Sequence, residues 1–314
     1  MRVCEKDFPL KEGEKSRRKP GFYLDPTLKQ QLDYYIKNIS KDWDFVIIVS
    51  GEGEVRVGKS VLALQIAAYY CSEIERIYGE KCPFDIDENI VFTGYNLIKK
   101  GNNLGVKYKY PVLIFDEAGA DLESSKVMRY TTQAVKDFLR ECGQYNMLTI
   151  LVLPEFFDLP KGIALSRSDC LLNVYYLADE EGYFQRGYFK FFSKPMKKYL
   201  YLNGKKNLDY NAGYTASRRN YDFFGTFPNF YPFNEDKYRK AKYKALKARE
   251  KMTNKELRMK TFLKGAFQYM IDCGLSYKEV AHEINQRSAL KMSYVYVHRM
   301  LEKTKLYDED DDML

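Results

Sequence analysis

The sequence predicts an α/β protein with a parallel sheet, followed by a small all-α domain. Three observations carry this. From about residue 44 to 178, short apolar runs rich in β-branched residues alternate with longer amphipathic segments, the pattern of strands crossed over by helices. The first such run leads through a glycine-spaced loop, "GEVRVGKS", directly into a helix-like stretch. Beyond Glu235 strand-like runs disappear and Lys, Ala and Arg dominate.

The first strand is "FVIIVSG", Phe45–Gly51, apolar enough to be buried on both faces. The loop Gly53-x-x-x-x-Gly58-Lys59-Ser60 follows, then a helix over Ser60–Gly79 that buries Val61, Leu62, Leu64, Ile66, Ala67 and Ala68. Strand, glycine loop and helix aim backbone N–H groups and the helix dipole at a phosphate. The cradle comprises Gly53, Glu54, Val55, Arg56, Val57, Gly58, Lys59, Ser60 and Val61. Two carboxylates near a triphosphate, Glu52 and Glu54, are tolerable because backbone N–H groups make the cradle, so the side chains can turn outward. Lys59 is expected on the β- and γ-phosphates of ATP, and Ser60 on Mg²⁺.

A second strand, within "YPVLIFDEAGA", ends in Asp116-Glu117. Asp116 would hold Mg²⁺, and Glu117 would act as general base toward the attacking water. Lys59 and Glu117 are thus the catalytic candidates. Further strands are expected in Glu88–Gly94, Asn146–Pro160 and Cys170–Ala178, with a helix at about Ser124–Cys142.

With Glu117 beside Asp116 and an extra strand between the two motifs, the chain resembles the additional-strand branch of P-loop ATPases. Through "LTILVLPEFFDLPKGIALSRSDCLLNVYY", Leu148–Tyr176, it is most similar to the FtsK–HerA class of DNA-pumping ATPases. The resemblance covers about residues 44–178 and implies a RecA-like P-loop NTPase fold. It also implies a polar sensor ending the fourth strand, and Pro154-Glu155 stands where glutamine is usual, which makes Glu155 the sensor candidate. It implies an arginine acting on a neighbouring subunit's nucleotide, with Arg140, Arg167 and Arg129 as candidates, and a homo-oligomer, usually a hexameric ring.

Residues 179–233 are dense in Tyr and Phe with Gly and Pro breaks, as in hairpins or extended segments. Aromatics interleaved with Arg186, Lys190, Lys194, Lys197 and Lys198 suit either stacking of single-stranded bases or packing of a sheet edge. Glu235–Lys260 reads as one or two basic helices. Three further helical segments follow, ending at Gly274 and spanning Tyr277–Asn285 and Tyr294–Lys303. Ser276 and Glu279 form a capping box, and Ser293 caps the last segment. With Ala281 central in the second, these resemble a helix-turn-helix domain whose third helix enters the major groove. Lys291, Ser293, Tyr294, Tyr296 and Arg299 are then the DNA-contact candidates.

Charge agrees. The net charge is +8, and residues 234–307 alone hold 18 Lys/Arg against 8 Asp/Glu, before the acidic tail Asp308–Asp312. The expected organisation is an N-terminal arm (1–40), a P-loop ATPase domain (41–233), a basic helical linker (234–252), a helix-turn-helix-like domain (253–307) and the tail (308–314). No apolar run nears the roughly 18 residues of a membrane span, and no secretory signal is visible. Six scattered cysteines and two histidines make no zinc pattern. The expectation is a cytoplasmic ATPase that binds duplex DNA and translocates or packages it, for a virus or plasmid. Two rivals are an AAA+-like replication initiator or helicase loader, which needs a helical lid after the core, and an ATP-switched non-catalytic DNA-binding regulator, which does not need Glu117.

Overall fold

The computed structural model describes residues 2–3, 22–54, 56–122, 130–215, 219–287 and 292–302. The chain divides into two compact units, 1–242 and 243–314. In the first, β1 (Arg2–Val3) pairs antiparallel with β2 (Phe22–Tyr23). α1 (Pro26–Ile39) starts on Asp25, whose carboxylate accepts the Thr27 and Leu28 amides. Its apolar positions Leu28, Leu32, Ile36 and Ile39 recur at helical spacing and are buried. Residues 26–39 are therefore part of this unit's core, where the sequence suggested an arm.

The main sheet has seven strands: β3 (Phe45–Gly51), β4 (Ile90–Val91), β5 (Val112–Phe115), β6 (Leu148–Glu155), β7 (Cys170–Ala178), β8 (Phe184–Ser193) and β9 (Phe223–Thr226). Their order is β4-β5-β6-β3-β7-β8-β9. The first five run parallel, and β8 and β9 add antiparallel. β6 lies between β3 and β5, so an additional strand separates the strand before the glycine loop from the strand ending in Asp116. This is a RecA-like P-loop arrangement, the α/β class expected.

Helices α2 (Lys59–Tyr78), α3 (Ile86–Asn89), α4 (Gly94–Lys107), α5 (Gly119–Leu122) and α6 (Tyr130–Glu141) cross between the parallel strands. The strand expected over Glu88–Gly94 is only Ile90–Val91, because the Asp85 carboxylate caps a helical turn ahead of it. Residues 123–129, which include Arg129 and the start of the expected Ser124–Cys142 helix, lie outside the described residues.

The aromatic stretch is a sheet edge. Phe189, Phe191 and Phe192 of β8 are buried, and Phe191 stacks on Phe223 of β9 at 4.5 Å. α7 (Lys194–Gly204) follows β8, a helix not expected from the sequence, opened by Pro195 in its first turn. Lys197 on α7 is fully buried. Its ammonium donates to the Ala164 and Ser168 carbonyls and to Ser168 Oγ. A lysine so enclosed has no access to bases.

α8 (Glu235–Asp272) is one helix of 38 residues. The unit boundary falls within it, after Lys242, where the sequence suggests a linker over 234–252. With no Gly or Pro before Gly265, nothing in that stretch interrupts the helix. In the second unit α9 (Tyr277–Arg287) and α10 (Tyr294–Glu302) pack Val280, Ala281 and Val297 around Phe267, with Ile284, Met300 and Leu301 alongside. The capping box forms: Ser276 N donates to Glu279 Oε2 at 2.7 Å, and Glu279 N to Ser276 Oγ at 3.4 Å. Among the described residues no helix is long and apolar enough to cross a membrane.

Burial pushes the Lys197 pKa down to about 8 from an ordinary 10.5. Between those values the unfolded chain keeps a proton that the folded chain has lost, so stability rises with pH. Relative to Lys197→Met, the wild type should gain roughly 2 kcal/mol from pH 8 to pH 10. Denaturant titrations of both proteins at the two pH values measure it, and parallel curves refute it.

Candidate nucleotide-binding site

The site lies where β3, β5 and β6 end. β3 is buried along its whole length. Its exit is fixed by backbone pairing: Gly51 lies opposite Glu155, and Gly53 N donates to the Pro154 carbonyl at 3.2 Å. The loop then turns through left-handed backbone at Gly53, Arg56 and Gly58. Glycine is required at 58 on two counts: φ is +105°, and a Cβ there would sit 3.1 Å from the Phe227 ring. Val57 is buried and anchors the loop, while Val55 lies outside the described residues.

α2 starts at Lys59 with no side chain capping its first turn, which leaves its N–H groups for an anion. The Lys59 ammonium folds back onto the Glu54 carbonyl. Burial lowers its pKa, opposed chiefly by the Glu117 carboxylate. The loop's acids point to β7: Glu52 accepts Asn173 Nδ2 at 3.0 Å, and Glu54 takes the Tyr176 hydroxyl.

β5 delivers Asp116, whose carboxylate is almost completely buried. Ser60 Oγ lies 3.3 Å from both of its oxygens, so two hard oxygen donors from separate motifs converge. That donor set fits Mg²⁺, which takes one or two protein oxygens and completes its octahedron with water and phosphate. Glu117 follows in left-handed backbone, φ +59°, an uncommon conformation that costs of order 1–3 kcal/mol. Val61, the last cradle residue, is buried in α2.

Glu155 ends β6 beside the loop. Burial raises its carboxyl pKa, while the Tyr210 hydroxyl and Phe157 N bond to it. Tyr210 also donates to the Gly51 carbonyl at 2.9 Å. One phenol therefore joins the loop entrance to the sensor candidate. Gln65, buried on α2, donates to the Pro228 and Phe230 carbonyls at 2.8 Å and holds the 227–230 segment against the loop.

Sequence reasoning missed Tyr210, Asn173, Gln65, Phe227, Tyr238 and Lys242. The last two, on the first turns of α8, reach the carboxylate pair. Their four-residue spacing puts them on one helix face, which is the only signal the sequence carried.

Of the arginine candidates, Arg140 projects from α6, largely exposed, with Asp137 3.6 Å away. Arg167 is turned inward, paired with Asp44 and donating to the Leu139 carbonyl. Asp44 precedes β3, so this pair sits at the opposite end of the sheet from the glycine loop, with no free fork for a neighbour's phosphate. In the second unit, taken alone, Ser293, Tyr294, Tyr296 and Arg299 are exposed on or before α10, and Lys291 lies outside the described residues.

No protein-family model and no curated protein matches the chain. Among solved structures, it is similar to the genome packaging NTPase B204 from Sulfolobus turreted icosahedral virus 2, in complex with ATP-gammaS. That match has 14% identity and a TM-score of 0.35, over 49% of this chain and 94% of that one. The N-terminal domain of zonular occludens toxin from Neisseria meningitidis matches at 12% identity and a TM-score of 0.33, over 48% and 84%. A KaiC-like protein from Pyrococcus horikoshii OT3 matches at 12% and 0.26, over 49% and 78%. At such scores these likenesses carry no weight beside the strand order and site geometry.

Proposed function

We propose that the chain is an ATPase that binds duplex DNA and uses hydrolysis to translocate or package it. The observation that carries the reading is the convergence of Lys59, Ser60, Asp116 and Glu117 at one end of the parallel sheet. In this reading the loop N–H groups and Lys59 bind and orient the triphosphate. Ser60 and Asp116 would hold Mg²⁺, which supplies charge neutralisation on the phosphate oxygens. Glu117 takes a proton from the water that attacks the γ-phosphorus. As the new P–O bond forms, the bond to the bridging oxygen breaks, and ADP and phosphate leave. Glu155, linked through Tyr210 to the loop, would register the γ-phosphate. Arg140 would act on a neighbour's nucleotide in a homo-oligomeric ring. The basic second unit would take DNA through Tyr294, Tyr296 and Arg299, with Ser293 and Lys291 at the helix start. The antiparallel β8–β9 edge follows the parallel strands where an AAA+ lid would be helical, which favours the motor over the loader.

Lys59→Ala should abolish nucleotide binding or turnover. Glu117→Gln should still bind ATP but hydrolyse it at least about 100-fold more slowly, the scale of a lost general base. Steady-state phosphate release with parallel ATP-binding titrations tests both, and wild-type turnover in Glu117→Gln would refute the assignment.

DNA binding is tested separately. Arg299→Ala should weaken duplex affinity. A chain ending at Lys242 should bind duplex with a shallower dependence of log affinity on log salt, by about 0.9 for each DNA phosphate that is no longer neutralised. Anisotropy titrations at several salt concentrations measure both. An unchanged slope in the shortened chain would assign the second unit to a protein partner.

A further inference from the structure

The carboxylate pair is already engaged by the chain itself. The Tyr238 hydroxyl donates to Asp116 Oδ2 at 2.5 Å. One turn on, the Lys242 ammonium lies 2.7 Å from Glu117 Oε1 and 3.5 Å from Asp116 Oδ2. Tyr238 is buried, and Lys242 is 28% exposed. This end of α8 is held from other sides too. Lys237 bridges Asp85 at 2.7 Å and Asp87 at 3.0 Å, and Phe233 stacks on Phe84 at 4.1 Å.

These contacts conflict with the chemistry assigned to the same atoms. A cation on Ser60 and Asp116 needs Asp116 oxygens, yet Oδ2 is bonded by Tyr238 and approached by Lys242. A dication there would also lie within a few ångströms of the Lys242 ammonium, and like charges so close in a buried site repel strongly. A carboxylate held by an ammonium, as Glu117 is by Lys242, is a weaker base toward water. With Lys59 and Lys242 present, the two carboxylates are balanced without any metal.

We propose that the first two turns of α8 are a displaceable cap on the site, in which Tyr238 and Lys242 hold Asp116 and Glu117 until Mg²⁺ and a nucleoside triphosphate arrive together and drive them off. The proposal rests on reading Ser60, Asp116 and Glu117 as the Mg²⁺–nucleotide site. In the capped form α8 holds Asp116 Oδ2 and Glu117 Oε1, one oxygen of each carboxylate, so full turnover waits on release of α8.

The cap has a binding cost that can be measured without turnover. A cap closed about four-fifths of the time weakens apparent affinity about fivefold. The full chain, Lys242→Met and Tyr238→Phe are titrated with a fluorescent non-hydrolysable ATP analogue, in Mg²⁺ and in EDTA. Both variants should bind the analogue about fivefold or more tightly than wild type in Mg²⁺, with little change in EDTA. Equal binding in Mg²⁺ overturns the cap, and weaker binding of Lys242→Met would make Lys242 a nucleotide ligand instead. Hydrogen exchange on the wild type is independent of how the variants fold. Amides across 236–246 should exchange faster with analogue and Mg²⁺ than with analogue in EDTA, and unchanged protection overturns the cap. Lys59→Ala separates the two readings. If it binds analogue as wild type does, the nucleotide site itself is misassigned. If it alone loses binding while 236–246 stay protected in wild type, only the cap falls.

Discussion

The pairing of β3 with β6 on one side and β7 on the other holds the rest of the first unit in place. β3 has no polar face: all seven residues are buried, so the strand is stable only inside a sheet covered by helices on both sides. Parallel pairing then brings carboxyl ends to one edge. Gly51 meets Glu155, Ser50 meets Asn173, and Phe115 meets Leu151 one strand further out. Asp116 and the glycine loop become neighbours because of this register, although no bond links their strands directly. Slipping β6 by one residue would turn its side chains to the other face and carry Glu155 away from the loop.

Buried polar side chains refine what the register brings together. Tyr210 joins the Gly51 carbonyl to Glu155, Asn173 takes Glu52, and Gln65 grips the 228–230 backbone. Each lies in low dielectric, where a satisfied hydrogen bond is strong and an unsatisfied one is costly. The aromatic edge serves the same end. Phe227 closes over Gly58, so strands beyond the parallel core shape the loop that the core presents.

What was legible in the sequence was local. The glycine spacing, the apolar run ahead of it, Asp116-Glu117 and the Ser276–Glu279 capping box each need only a few adjacent residues, and each forms. The alternation of strands and helices gave the layered class in the same way. What was not legible joins residues far apart. Tyr238 and Asp116 are 122 positions apart, and Arg167 and Asp44 are 123. Arg167 looked available because its partner lies on a distant stretch of the chain. The sequence leaves Lys197 between base stacking and edge packing, because composition does not reveal the three acceptors that enclose it. Residues 26–39, expected within an arm over 1–40, acquire a role for their apolar stripe only against α2, β3 and β9.

The backbone at Glu117 has a bearing on how this protein can change. A left-handed φ of +59° suits glycine or asparagine better than glutamate. Replacing Glu117 by either would relax the turn while discarding the carboxylate. On the proposed reading, selection for thermal robustness would favour losing this carboxylate, and selection for hydrolysis would favour keeping it. On that reading, a descendant that keeps glutamate at 117 holds the strained turn for the sake of the proposed chemistry.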